Sequence, residues 1–293
     1  MIEKKNILGV GITNASRKEI LEYIIKNLEN FKKKLFFVTP NPEFLVLASK
    51  NPTFKNVLNR ANLASADGIG VIIAAKFLGK PLKGRFTGVD LVENLCKQVA
   101  VKPITVGFLG GWPGVAERTA ECLRKKYPGL KVSFAGEEWP NDLNTRQPRV
   151  SDDSRLQKSE NQSLNSASLS KSRLPSDAQP TFSSSKSGLP RDNNLTMKQF
   201  NNETIDILFV AFGAPKQEFW ISEYLEKIPV KIAIGVGGAF DYISGKTPRA
   251  PLFLQNIGLE WLFRLIMQPW RIKRQLSLLQ FIWLVIKEKL SKN

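Results

Sequence analysis

The chain has 293 residues, 42% of them hydrophobic, which is enough apolar material for one sizeable core or a core with an appendage. Its 43 Lys and Arg outnumber 26 Asp and Glu, a net charge of +17 that calls for an anionic partner: nucleic acid, an anionic membrane face or phosphorylated substrates. There is no histidine, which excludes Ser-His-Asp and Cys-His catalysis, leaves acid/base work to carboxylates and removes the usual nitrogen ligand for zinc.

Residues 1–6 lack the apolar core of a signal peptide, so a cytoplasmic protein is expected. Residues 7–10 read as a strand and 16–30 as a helix, with Ser16 as N-cap and Ile20, Ile24 and Leu28 on one face. Residues 35–38 form the next strand, ending at Thr39-Pro40-Asn41-Pro42. A Leu/Val-rich helical stretch follows, then a short strand over 62–66 that stops at Asp67-Gly68. Beyond it the pattern predicts strand 104–109, helix 114–126, strand 131–135, strand 205–210, helix 218–227 and strand 231–236. This alternation predicts a parallel sheet covered by helices on both faces. Cys96 and Cys122 fall in helical segments without a CxxC neighbour and read as buried thiols in a reducing compartment.

The α/β pattern occupies residues 1–143 and 198–250. Between them, 144–197 is Ser-rich with no period of 2 or 3.6 and reads as a disordered insertion, the alternative being a regulatory or partner-binding loop. Residues 251–293 form an amphipathic helical appendage that mixes Trp261, Phe263, Trp270, Phe281 and Trp283 with Arg264, Arg271, Lys273 and Arg274. The uncharged stretch between Arg274 and Lys287 is too short to span a bilayer. Interfacial Trp with flanking cations suits a helix lying on an anionic membrane surface; a helix packed on the core needs the same pattern.

Ligands of open parallel α/β sheets bind outside the carboxyl ends of the strands. The polar residues placed there are Thr39 and Asn41, Asp67, Gly110-Gly111, Gly213 with Lys216-Gln217, and Gly237-Gly238 with Asp241. Asp67, at a strand-to-helix turn, reads either as a helix N-cap or as a general base taking a proton from a sugar hydroxyl. The glycine turns let backbone N–H groups approach a phosphate or ribose, although their spacing matches neither the dinucleotide fingerprint nor the P-loop. Phe240 reads as a base-stacking ring or as core. No Asp-x-Asp occurs at a strand end, so no metal site is expected, and Arg85, Arg249 and the C-terminal arginines are the candidates to neutralise a diphosphate. Any one of these arginines is equally a solvated surface charge.

Taken together, these segments resemble glycosyltransferase family 26, the WecG/TagA/CpsF family. The matching stretches include Thr39-Pro-Asn-Pro-Glu43, Ala66-Asp-Gly-Ile-Gly70, Gly84-Arg-Phe-Thr-Gly-Val-Asp90, Phe108-Leu-Gly-Gly111, Phe212-Gly-Ala-Pro-Lys-Gln-Glu218, Gly235-Val-Gly-Gly-Ala-Phe-Asp241, Arg249-Ala-Pro251 and Gly258-Leu-Glu-Trp261. The resemblance implies a Rossmann-like domain with a C-terminal appendage that closes the site at the membrane. It implies inverting transfer from a UDP-sugar, often UDP-N-acetylmannosamine, to undecaprenyl-diphosphate-linked N-acetylglucosamine, with no cofactor beyond the donor. Carried over by motif, Asp67 is the base and Thr39 and Asn41 position sugar or acceptor. Arg85 and Gln217 hold donor groups. Arg264, Arg271 and Arg274 cover the diphosphate, and Gly110, Gly111 and the 237–241 loop hold the uridine. The protein is then expected as a peripheral protein on the inner face of the cell membrane, without a nucleic-acid partner; a homo-oligomer is left open. Three readings compete: the same fold using another UDP-hexose or a UDP-uronic acid as donor, a dinucleotide-dependent oxidoreductase, against which the missing fingerprint counts, and a nucleic-acid-binding module resting on charge alone.

Overall fold

The structure is a computed structural model that describes residues 2–139, 204–269 and 272–291. The Ser-rich 144–197 segment and Arg271 lie outside the described residues, as does the side chain of Arg274.

The chain opens with a hairpin, β1 (Lys4–Ile7) and β2 (Val10–Thr13), where the sequence predicts one strand over 7–10. Ile7 pairs with Val10, and Leu8 (φ 50°) and Gly9 (φ 83°) make the two-residue turn between them. Two positive φ values match the right-handed twist of the flanking strands. The apolar run Ile7-Leu8-Gly9-Val10 is thus two strand ends and a turn. Helix α1 (Arg17–Glu29) starts at Ser16, whose hydroxyl accepts from the Glu19 N–H while the Glu19 carboxylate accepts from the Ser16 N–H. That reciprocal pair satisfies two otherwise orphaned donors of the first turn.

The sheet contains β3 (Leu35–Val38), β4 (Leu63–Ala64), β5 (Thr105–Gly110), β6 (Lys131–Gly136), β7 (Ile205–Ala211) and β8 (Val230–Gly235), ordered β4-β3-β8-β7-β5-β6 with every pairing parallel. The connecting helices are α2 (Pro42–Lys50), α3 (Pro52–Arg60), α4 (Ile69–Phe77), α5 (Gly88–Val99), α6 (Val115–Lys126) and α7 (Lys216–Tyr224). Asn51 splits the single Leu/Val-rich helix read from the sequence into α2 and α3, capping α3 through its side chain while Pro52 takes the first helical position. On one face of the sheet, α1, α5 and α6 bury Ile24, Leu95 and Leu123 against Phe37, Phe108, Phe209 and Ile234. On the other, Phe54 of α3 meets Phe44 and Phe219 at 5.8 and 5.9 Å between ring centres. The fold is an α/β Rossmann-like one.

From β3 the chain steps to β4 on one side, then restarts at β5, beyond the positions that β7 and β8 later fill. A sheet wound outward in both directions opens a crevice at the carboxyl ends of its central strands. The chain then continues through α8 (Ala239–Ile243), α9 (Leu252–Asn256), α10 (Glu260–Met267) and α11 (Ile272–Leu290). Helix α11 packs on α2 and α4, burying Phe281 and Val285, and Glu288 accepts from the Leu8 N–H at 3.0 Å and pairs with Lys80 at 3.2 Å. Among the described residues, no helix is long and apolar enough to cross a membrane.

Candidate active site

A cavity of about 1230 Å³ lies at the carboxyl ends of β3, β4, β7 and β8 and is roofed by α10 and α11. Thr39, Asn41, Asp67, Arg85, Gly111, Gln217, Gly237, Gly238, Asp241 and Arg264 line it. Residues more than 200 positions apart in the sequence therefore share one space.

Asp67 is held by its backbone and one side-chain contact. Its N–H donates to the Pro40 carbonyl at 2.8 Å, and its Oδ2 accepts from the Gly88 N–H at 3.2 Å. Gly88 makes that contact possible, since a Cβ there would stand 2.8 Å from the Val236 carbonyl oxygen. Helix α4, which Asp67 precedes, has no side-chain cap, because Gly68 occupies its N-cap position. The carboxylate therefore does not cap α4, and its one hydrogen bond goes to the first N–H of α5. Burial pushes the Asp67 carboxyl up to about 6; the Gly88 N–H and Arg85 oppose the shift, and Glu260 and Asp90 add to it. A group with that pKa is ionised at neutral pH yet basic enough to accept a proton in a transition state.

Thr39 donates its hydroxyl to the Gly235 carbonyl at 3.0 Å, tying β3 to β8. Asn41 caps α2, its Oδ1 accepting from the Phe44 N–H at 3.1 Å, which leaves its amide nitrogen for a ligand. Arg85 donates to the Gln255 carbonyl at 2.7 Å and so reaches from the sheet edge to α9.

Gln217 departs from the expected donor contact. It is fully buried, and its Oε1 accepts from the Gly213 N–H at 3.2 Å and the Gly237 N–H at 3.0 Å while its Nε2 donates to Glu218 at 2.6 Å. Its oxygen is taken up in clamping the two glycine turns that follow β7 and β8. Glu218, not singled out from the sequence, is also fully buried, and its carboxyl is pushed up to about 8 by burial. Only its place beside Gln217 in the 212–218 motif hinted at it.

The appendage supplies a cation to the glycine edge. Arg264 of α10 pairs with Asp241 at 3.7 Å and lies 4.8 Å over the Tyr242 ring. A Cβ on Gly238 would sit 3.1 Å from an Arg264 Nη, so glycine is what lets the guanidinium lie against this turn. The Arg264 Nε is buried without a hydrogen-bond partner.

Other candidates sit elsewhere. Gly110 ends β5 outside the cavity lining; a Cβ there would meet the Phe212 ring at 2.7 Å, so packing rather than ligand approach requires the glycine. Arg249 also lies outside the lining, pairing with Asp90 and, at 3.2 Å, with Glu260. Two carboxylates on α5 and α10 hold that guanidinium between them, so it fastens the appendage to the core. Phe240 is buried in edge contact with Phe108 at 5.6 Å, as the core reading has it. The exposed ring beside the glycines is Trp112, with Lys246 4.7 Å over one face. Cys96 is buried as expected, whereas Cys122 is only half-buried.

Fold and site make an α/β protein with a polar cleft at the sheet's carboxyl edge, and comparison with known proteins makes its class glycosyltransferase. The chain belongs to the Glycosyl transferase WecG/TagA/CpsF family, whose profile matches residues 5–146 and 177–293. An N-acetylglucosaminyldiphosphoundecaprenol N-acetyl-beta-D-mannosaminyltransferase of Bacillus spizizenii is 30% identical over 257 residues, covering 88% of this chain and 80% of the relative. Proteins with the same description from Bacillus subtilis and Staphylococcus aureus are 25% identical over 292 residues and 26% over 287, covering 94% and 93% of those relatives. The family match sets aside the oxidoreductase and nucleic-acid readings.

Proposed function

We propose that the protein transfers N-acetylmannosamine from its UDP-linked donor to N-acetylglucosamine carried on a polyprenyl diphosphate, inverting the anomeric centre. The observation that carries this reading is Asp67. It is a carboxylate of raised pKa that does not cap α4, in a cavity also lined by the Gly237–Gly238 turn and Arg264.

In this mechanism the acceptor hydroxyl oxygen forms a bond to the anomeric carbon of the donor as its proton passes to Asp67. The bond from that carbon to the UDP oxygen breaks, and UDP leaves with the electron pair. Thr39 and Asn41 orient the sugar beside Asp67. The Gly237–Gly238 turn with Asp241 and Gly111 receives the uridine, and Arg264 and Arg85 offset the charge that grows on the diphosphate. Arg271 and Arg274 add to that cover. The leaving group is neutralised by guanidinium groups, with no divalent cation needed. The apolar, basic C-terminal helices suit an anionic membrane face, in keeping with a protein that acts peripherally on its inner side.

The test is a panel of UDP-sugars offered with a synthetic lipid-diphosphate-GlcNAc acceptor, with products identified by mass and NMR. UDP-N-acetylmannosamine should give the highest kcat/KM. Preference for another donor would revise the sugar, and no turnover with any donor would overturn the reading.

A further inference from the structure

We infer that the apolar wall between α4 and α11 is the binding corridor for the first isoprene units of the acceptor's own lipid; the inference rests on the function proposed above. Helix α4 reads Ile-Gly-Val-Ile-Ile-Ala-Ala-Lys-Phe, with Lys76 its only charged or polar side chain. A helix apolar all round is ordinarily covered on every side. Here Val71, Ala74 and Ala75 are buried, whereas Ile73 and Phe77 stay 60% and 51% exposed.

These two residues do not face open solvent alone. They line the same cavity as Asp67, as do Ile282 and Ile286 of α11, which are 47% and 45% exposed. Phe281 and Val285, one turn apart on α11, are buried and fix that helix over the start of α4. Gly70 permits the close seating, since a Cβ there would lie 3.0 Å from the Pro42 ring and 3.9 Å from Phe281. The cavity thus has a polar end, where the sugar chemistry is placed, and an apolar end made of two half-exposed helix faces.

That arrangement selects its occupant. A free nucleotide-sugar has no apolar portion to cover Ile73, Phe77, Ile282 and Ile286. A bilayer would meet the outward face of α11, where Leu276, Leu279, Trp283 and Leu290 are exposed outside the cavity lining. An acceptor joining a polar sugar diphosphate to a hydrocarbon chain matches both ends of the cavity at once, with burial of its first methyl-branched units supplying the affinity.

The experiment compares water-soluble acceptors that carry the same diphosphate-GlcNAc head on one or three isoprene units, each below its micelle concentration. In the wild-type protein, kcat/KM should rise about tenfold or more from the short chain to the long one. In Ile73→Ser/Ile282→Ser, which changes side chains already half in solvent, that ratio should fall below about threefold. A long-to-short ratio unchanged by the double substitution overturns the corridor. Flotation with vesicles containing anionic lipid separates the other source of hydrocarbon: lost vesicle binding with an intact chain-length ratio assigns the face to the bilayer and likewise overturns it. Absence of turnover with either acceptor would instead defeat the function on which the inference rests.

Discussion

Replacing Asp67 with Asn should abolish most turnover and yet stabilise the protein at neutral pH. The Asp67 carboxyl is raised from 3.8 to about 6, chiefly by burial, and one N–H at 3.2 Å is its only hydrogen-bonded compensation. A carboxyl that binds its proton more tightly when folded contributes stability fully below its unfolded pKa and loses it as pH rises through the folded one. A rise of that size corresponds to about 3 kcal/mol, or about 2 kcal/mol once residual contact with the cavity is allowed for. Asn keeps an acceptor for the Gly88 N–H and cannot ionise. Its Tm should therefore match wild type near pH 4 and exceed it by about 4–6 °C at pH 7.5. Thermal melts of both proteins across that range make the comparison. A variant less stable at pH 7.5, or a difference that does not change between pH 4 and 7, would refute the claim that Asp67 is held as a strained charge.

Gln217→Ala takes the shared acceptor from the half-buried Gly213 and Gly237 N–H groups and the donor from buried Glu218, and should lower Tm by about 6–12 °C, equivalent to about 3–4 kcal/mol, measured by calorimetry. Gly238→Ala adds a methyl 3.1 Å from the Arg264 guanidinium, the far end of a flexible side chain. It should leave Tm within about 2 °C but reduce kcat/KM for the donor about tenfold, the cost of about one charge-assisted hydrogen bond. Arg249→Ala leaves Asp90 and Glu260 without their shared cation and should cost about 2 kcal/mol in denaturant melts. For wild type, kcat/KM should rise with pH and level off above about 6, as the base loses its proton.

The parallel sheet was legible because buried strands such as Leu35–Val38 and Ile205–Ala211 are short unbroken apolar runs, and buried parallel strands need no alternation. The rim was legible for the same reason. Once the strands are placed, Asp67, Gly111 and the Gly237–Gly238 turn must follow their carboxyl ends. What could not be read were choices among partners. Arg249 and Arg264 look alike in sequence, but one lies between Asp90 and Glu260 while the other reaches the Gly238 turn. Gln217 and Glu218 look like exposed polar residues opening a helix, and only the closure of β7 against β8 turns both inward. The β1–β2 hairpin hid because Leu8, a residue seldom found at positive φ, forms half its turn.

The central claim is that the Asp67 carboxylate takes the acceptor's proton while arginines, rather than a metal ion, receive the departing diphosphate. Turnover of wild type and Asp67→Asn on the lipid-diphosphate acceptor, in EDTA and with donor affinity measured alongside, tests it most directly. Wild type should remain active and the variant should fall by about 10²–10⁴-fold with donor Kd unchanged. A variant within threefold of wild type, or a wild-type enzyme silenced by EDTA and restored by a divalent cation, would contradict the account.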